Sequence, residues 1–101
     1  MARKKADSPR LIEIYATIGN NIRRLRGIMT QEEIAQGAGL TRGTINAIEN
    51  GHGCTLATLI KIADGLGISA ANLFITDDQR KEVSFQHVLL MEKLKESLTV
   101  K

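Results

Sequence analysis

Within residues 30–51, TQEEIAQGAGLTRGTINAIENG, hydrogen-bonding and cationic side chains gather on one side of a short amphipathic segment. Ile45 and Ile48 lie three apart and mark an inward face, so Arg42, Gly43, Asn46 and Ala47 project outward. An arginine fork there can donate to both acceptors of a guanine edge, or to a phosphate instead. Asn46 can meet an adenine edge or bond the backbone. Thr41 and Thr44 can donate hydroxyl hydrogen bonds to phosphates. Gly43 and Ala47 have no polar reach; they let a surface come close, with Ala47 able to touch a thymine methyl. A glycine inside a helix costs about 1 kcal/mol relative to alanine, which hints at close approach or at simple tolerance. This is the chemistry of reading a duplex by hydrogen bonds, not of breaking covalent bonds.

Two short helices would position those groups. Thr30 is an N-cap with Glu33 three residues on, which makes a capping box. The first helix is expected from Gln31 to about Gly37 and buries Ile34 and Ala35. Gly39 supplies a left-handed turn, Leu40 plugs inward and Thr41 caps again. The second helix ends at Asn50-Gly51. Two capped helices about a glycine turn form a helix-turn-helix, whose second helix can enter a major groove. Gln31 opens the first helix, where its amide and the free N–H groups suit a phosphate. His52, just past the second helix, can touch another.

The flanking chain supplies a frame. Ser8-Pro9 signals a helix start, and Leu11, Ile14, Tyr15, Ile18, Ile22 and Leu25 recur at three- and four-residue steps up to Arg26. Arg23, Arg24 and Arg26 complement the dipole at its end. Thr55 caps a helix from Leu56 to about Leu66. Ser69 caps a last short helix, SAANLF, expected to bury Leu73 and Phe74. The expected core is Ile18, Ile22, Leu25, Met29, Ile34, Ala35, Leu40, Ile45, Ile48, Leu59, Ala63, Leu66, Ile68, Leu73 and Phe74, small but sufficient. Residues 76–78 read as a polar break. Beyond them Val83, His87, Leu90, Met91, Leu94 and Leu98 fall on one helical face, widened by Val88 and Leu89. The helix is expected over about 85–98, with an earlier start capped by Asp78 or an extended 82–85 as alternatives. An apolar helix past a complete domain must pack on that domain, on a second copy or on another protein. The expected organisation is a basic arm over 1–10 carrying Arg3, Lys4 and Lys5, a helical domain over 11–76, and an extension over 77–101 for dimerisation or partner binding.

Bulk properties narrow the class. A chain of 101 residues with 43% apolar and 25% charged content is one globular domain with an appendage. No apolar run approaches the roughly 18 residues of a membrane span. No apolar core follows the N-terminal charges, so the expectation is a cytoplasmic protein. Cys54 is the one cysteine, which allows neither an internal disulfide nor a metal site. His52 and His87 have no ligand partners at metal spacing, and no nucleophile–base set, paired acids or phosphate loop occurs. No enzyme, metal or cofactor is expected. Residues 1–26 carry seven Lys/Arg against two acids, while residues 27–78 carry two against six. A nucleic-acid face in the middle must therefore come from a few placed groups and helix N-termini. Three aromatics (Tyr15, Phe74, Phe85) are too few for a base-stacking platform.

The runs IGNNIRRLR, TQEEIAQGAGLTRGTINAIENG and TLIKIADGLGISAANLF together resemble the phage repressor and Cro-like helix-turn-helix family. The likeness spans residues 18–74. It implies an all-α, compact five-helix lambda-repressor-like DNA-binding domain, here with an additional C-terminal helix. It further implies a transcriptional regulator that binds double-stranded DNA as a homodimer, with Gln31 and Asn50 on the DNA backbone. The resemblance also pairs Glu49 with the arginine of the first helix in a partly buried ion pair that locks the motif. The loop RLRGIMTQ is about two residues shorter than is usual in the family, so either Arg26 or Arg24 aligns with that arginine. Family members of this size also serve as antitoxins, in which residues 79–101 would bind a second protein, or as restriction-modification controllers.

Overall fold

The computed structural model describes residues 8–99, with the backbone alone of Val83, Ser84 and Thr99. Helix α1 spans Pro9–Arg26, and its N-cap Ser8 accepts from the Leu11 N–H at 3.1 Å. Helix α2 spans Gln31–Ala38 and α3 spans Arg42–Glu49. Between them Gly39 sits at φ 72°, the left-handed region that a side chain disfavours, and so turns the chain sharply. The Leu40 N–H then returns to the Ala35 carbonyl at 2.8 Å. Helix α4 spans Leu56–Leu66 and precedes a single 3-10 turn, Ala70–Leu73. Helix α5 spans Asp77–Thr99. No strand occurs among the described residues, and the fold is all-α.

Ile22, Ile34, Ile45, Ile48, Ile62 and Leu73 are the large side chains sealed in the core. They come from α1 to α4 and the 3-10 turn. Leu25, Met29, Leu40, Leu66 and Ile68 close over them half-buried. Ala38 and Ile62 join the expected core, while Phe74 leaves it at 42% exposure. The expected short helix is only one 3-10 turn, and Leu73 fills its inward position. Phe74, as C-cap, is carried one step round toward solvent.

Buried Asn21 ties α1 to the end of this domain. Its amide nitrogen donates to the Leu73 carbonyl at 2.9 Å and to the Ile75 carbonyl at 2.8 Å. Its oxygen accepts from Arg24 and, at 3.5 Å, from Arg80.

Helix α5 starts earlier than the apolar spacing suggests. Thr76 accepts from the Gln79 N–H at 3.1 Å, and the Gln79 side chain accepts from the Thr76 N–H at 3.0 Å. This second capping box replaces both the cap at Asp78 and the extended 82–85. Asp77 and Asp78 then lie in the first turn, where acids suit the dipole. From Lys81 onward every described side chain of α5 is exposed, and the molecule measures 68 × 31 × 20 Å. At 100° per residue, His87, Leu90, Met91, Leu94 and Leu98 form a narrow stripe. Val88 and Leu89 fall well off it, on either side, rather than widening it.

Gly19 on α1 lies against the end of α3. A Cβ there would come within 2.5 Å of the Ile48 carbonyl oxygen and 2.9 Å of the Glu49 carbonyl oxygen. Two effects of opposite sign meet at this position. Alanine in a helix interior gains about 1 kcal/mol over glycine, whereas overpacking a backbone contact costs about 1–3 kcal/mol. Gly19→Ala should therefore destabilise the chain, by up to about 2 kcal/mol in urea unfolding. A variant more stable than the parent would show that this approach does not matter.

Candidate nucleic-acid interface

Glu49 closes α3 and is 4% exposed, yet it is charged. Arg26 grips its carboxylate with two donors, Nε at 2.6 Å and a terminal nitrogen at 3.1 Å. The other terminal nitrogen of Arg26 donates to the Met29 carbonyl at 2.7 Å and so ties the short loop before α2 back to α1. Arg24 points elsewhere, onto Asn21. Arg26 is thus the helix-one arginine that pairs with Glu49. Arg23 also takes part: it donates to the Glu49 backbone carbonyl at 3.0 Å and brings Nε to 3.5 Å from the carboxylate. Its place three residues before Arg26, on the same helical face, was the available signal for this. Burial works against the Glu49 charge. Hydrogen bonds from Arg26 and Gln31, with the attraction of Arg26 and Arg23, outweigh it and hold the pKa below the ordinary glutamate value. The hydrogen bond to Glu49 raises the Arg26 pKa, against the opposing effect of its own burial.

The outward face of α3 is assembled on this base. Arg42 and Asn46 are exposed, Ala47 is half-buried, and Arg42 makes no ion pair among the described residues. A Cβ at Gly43 would meet only the Thr41 hydroxyl, at 3.9 Å, so nothing within the fold requires glycine there. Thr41 caps α3 by accepting from the Thr44 N–H at 3.1 Å, and the two hydroxyl oxygens lie 2.9 Å apart. Only one proton can lie between them, which leaves a hydroxyl proton free to point outward. The Asn50 side chain turns back and donates to the Asn46 carbonyl at 2.8 Å. His52 Nδ1 lies 3.0 Å from the Ala47 carbonyl, which can only accept. Nδ1 therefore carries a proton. Gln31 is half-buried and donates to Glu49 at 3.0 Å and to the Asn46 side-chain oxygen at 3.3 Å. Arg3, Lys4 and Lys5 lie outside the described residues, as does the Val83 side chain. His87, Leu90, Met91, Leu94 and Leu98 are exposed on α5, remote from this face along the chain. Among the described residues no three His, Cys, Asp or Glu side chains gather to hold a metal ion. No described helix is long and apolar enough to cross a membrane.

A helix-turn-helix family profile matches residues 22–73. The chain belongs to the Cro/C1-type helix-turn-helix family. Two solved helix-turn-helix structures are similar. The hypothetical transcription factor NHTF from Neisseria aligns at 28% identity and TM-score 0.67, over 77% of this chain and 93% of its own. The restriction-modification controller protein C.AhdI from Aeromonas hydrophila aligns at 30% identity and TM-score 0.57, over 59% of this chain and 96% of its own. No curated protein matches by sequence.

The charge that holds this helix-turn-helix together should make it acid-labile. The folded pKa of Glu49 lies below its unfolded value. Its contribution is therefore complete above the unfolded glutamate value of about 4.3 and is lost as the pH falls through the folded value. Glu49→Ala, which leaves Arg26 half-buried without its partner, should cost about 3 kcal/mol at neutral pH. Thermal melts of the variant should also show a smaller decline on acidification than those of the parent. Equal acid losses in the two chains would assign the decline to other carboxylates.

Proposed function

We propose that this chain is a sequence-specific regulator of transcription that binds double-stranded DNA, repressor-like, as a homodimer on a near-palindromic operator. The observation that carries the reading is the outer face of α3. It presents the guanidinium of Arg42, which makes no ion pair among the described residues, beside Gly43, Asn46 and Ala47 on a helix anchored by a buried charge. Arg42 and Asn46 read base edges, and Gly43 and Ala47 allow the close approach that such reading needs. Gln31, Thr41, Thr44, Asn50 and His52, with the basic arm carrying Arg3, Lys4 and Lys5, take the DNA backbone. One recognition helix spans only a few base pairs, so two copies on half-sites a helical turn apart gain affinity by linkage. The exposed stripe of α5 supports the pairing of two copies through 77–101. The proposed place of action is the cytoplasm, with DNA and a second copy as partners and no cofactor.

A second reading rests on the same exposed helix. In it α5 binds and neutralises another protein, as an antitoxin would, and α3 serves autoregulation. The likeness to C.AhdI supports a variant of the first reading, a controller of restriction and modification.

Arg42→Ala should remove specific binding, a loss of at least about 1–3 kcal/mol, while the far-UV circular dichroism and melting stay unchanged. Unchanged affinity for a selected operator would refute the role of α3. Deleting 79–101 should weaken self-association in sedimentation equilibrium. A truncated chain that dimerises as well as the parent would assign the interface to another surface.

A further inference from the structure

Glu49 carries one negative charge and meets two arginines, and the two are not equivalent. Arg26 holds both carboxylate oxygens, and its side chain is 19% exposed. Arg23 keeps its Nε 3.5 Å from Oε1, beyond a good hydrogen bond, and its side chain is 54% exposed. Arg26 already neutralises the carboxylate, so the cluster carries one cation in excess, and the exposed one is Arg23. Its Nη2 donates to the Glu49 carbonyl at 3.0 Å, against the peptide unit that leads into Asn50. Its Nη1 makes no hydrogen bond among the described residues. The Oε1 atom that Arg23 approaches is the one that takes the Gln31 amide at 3.0 Å. The guanidinium of Arg23 thus borders both Gln31 and Asn50, two of the side chains proposed above for the DNA backbone.

We propose that Arg23 is a further DNA-binding residue, whose guanidinium takes a backbone phosphate beside those that Gln31 and Asn50 take. The proposal rests on α3 being the helix that meets the DNA. A phosphate calls for a cation with donors left over, and Arg23 can donate from Nη1 while Nη2 keeps its hold on α3. Its place also bears on the charge balance of the motif. Residues 27–78 hold two cations, Arg42 on α3 and Lys61 on α4. Helix α1 therefore brings to this face a charge that the motif itself lacks. A phosphate contact carries no sequence information, so Arg23 strengthens binding to every duplex alike. The competing role is purely structural, a side chain that satisfies the last turn of α3 and does nothing more.

The test measures Kd against salt concentration for three full-length chains, the parent, Arg23→Met and Arg23→Lys. Each is titrated with a duplex enriched by selection and with a scrambled duplex, and each is unfolded in urea alongside. Methionine keeps an unbranched apolar stem and removes the charge, whereas lysine keeps the charge and removes the fork. Arg23→Met should weaken binding to both duplexes by the same factor, about tenfold at low salt. The slope of log affinity against log salt should flatten by about one for each chain bound. Arg23→Lys should keep the slope of the parent. An Arg23→Met chain that binds more weakly with its slope unchanged would overturn the proposal, because charge neutralisation is then not what was lost. So would an Arg23→Met chain that loses stability yet binds as the parent does, which leaves Arg23 its structural role alone. A parent that binds both duplexes equally, with a flatter slope in Arg23→Met, would end the sequence-specific reading and uphold the phosphate contact. A parent that binds neither duplex would overturn both.

Discussion

A carboxylate sealed in an apolar domain carries a desolvation cost of several kcal/mol unless its surroundings replace water's hydrogen bonds. Glu49 meets that condition with hydrogen bonds from the fork of Arg26 on α1 and the amide of Gln31 on α2, and with the charge of Arg23 3.5 Å away. Each of these side chains must hold its place for the charge to be tolerated. The relative setting of α1, α2 and α3 is thereby specified more tightly than isoleucine packing alone would specify it. Leucines and isoleucines tolerate small slides, whereas a bidentate arginine does not.

Helix α1 is the spine on which this arrangement hangs. Gly19 lets it press against the last carbonyls of α3, and Arg23 satisfies one of those carbonyls directly. Two residues from each of them, Asn21 satisfies two carbonyls around the 3-10 turn. Helix α3 has only eight residues and would not persist alone. Its end is instead fastened by charge, by close contact and by its caps. A helix fixed in this way can present Arg42 and Asn46 with little ordering left to do on binding.

Of the six acids of the middle segment, only Glu49 lies on α3. Glu32 and Glu33 lie in the first turn of α2, where Glu33 completes a capping box. Asp64 lies on α4, and Asp77 and Asp78 open α5. Glu49 is buried and neutralised. Arg42 is left as the charged group on the exposed side of α3, opposite in sign to the average of the segment.

The elements and caps are local features, and they were legible in the chain. Thr30 with Glu33, Gly39, Thr41 and Thr55 bound their helices because N–H satisfaction and left-handed turns depend on residues a few positions apart. The outward set on α3 followed from the positions of Ile45 and Ile48. The capping box at Thr76 was equally local, but apolar spacing drew the start of α5 too late. What only the tertiary structure decided were choices between distant partners of similar chemistry. Arg24 and Arg26 are indistinguishable by spacing, and the packing of α1 against α3 brings Arg26 to Glu49. Gln31 could have faced outward, but the Glu49 charge draws its amide in. Phe74 could have been core, but a single 3-10 turn has room for one inward side chain, and Leu73 takes it. Sequence periodicity sets which face a residue occupies. Which groups meet across that face depends on how the helices cross, and here a buried carboxylate decides it.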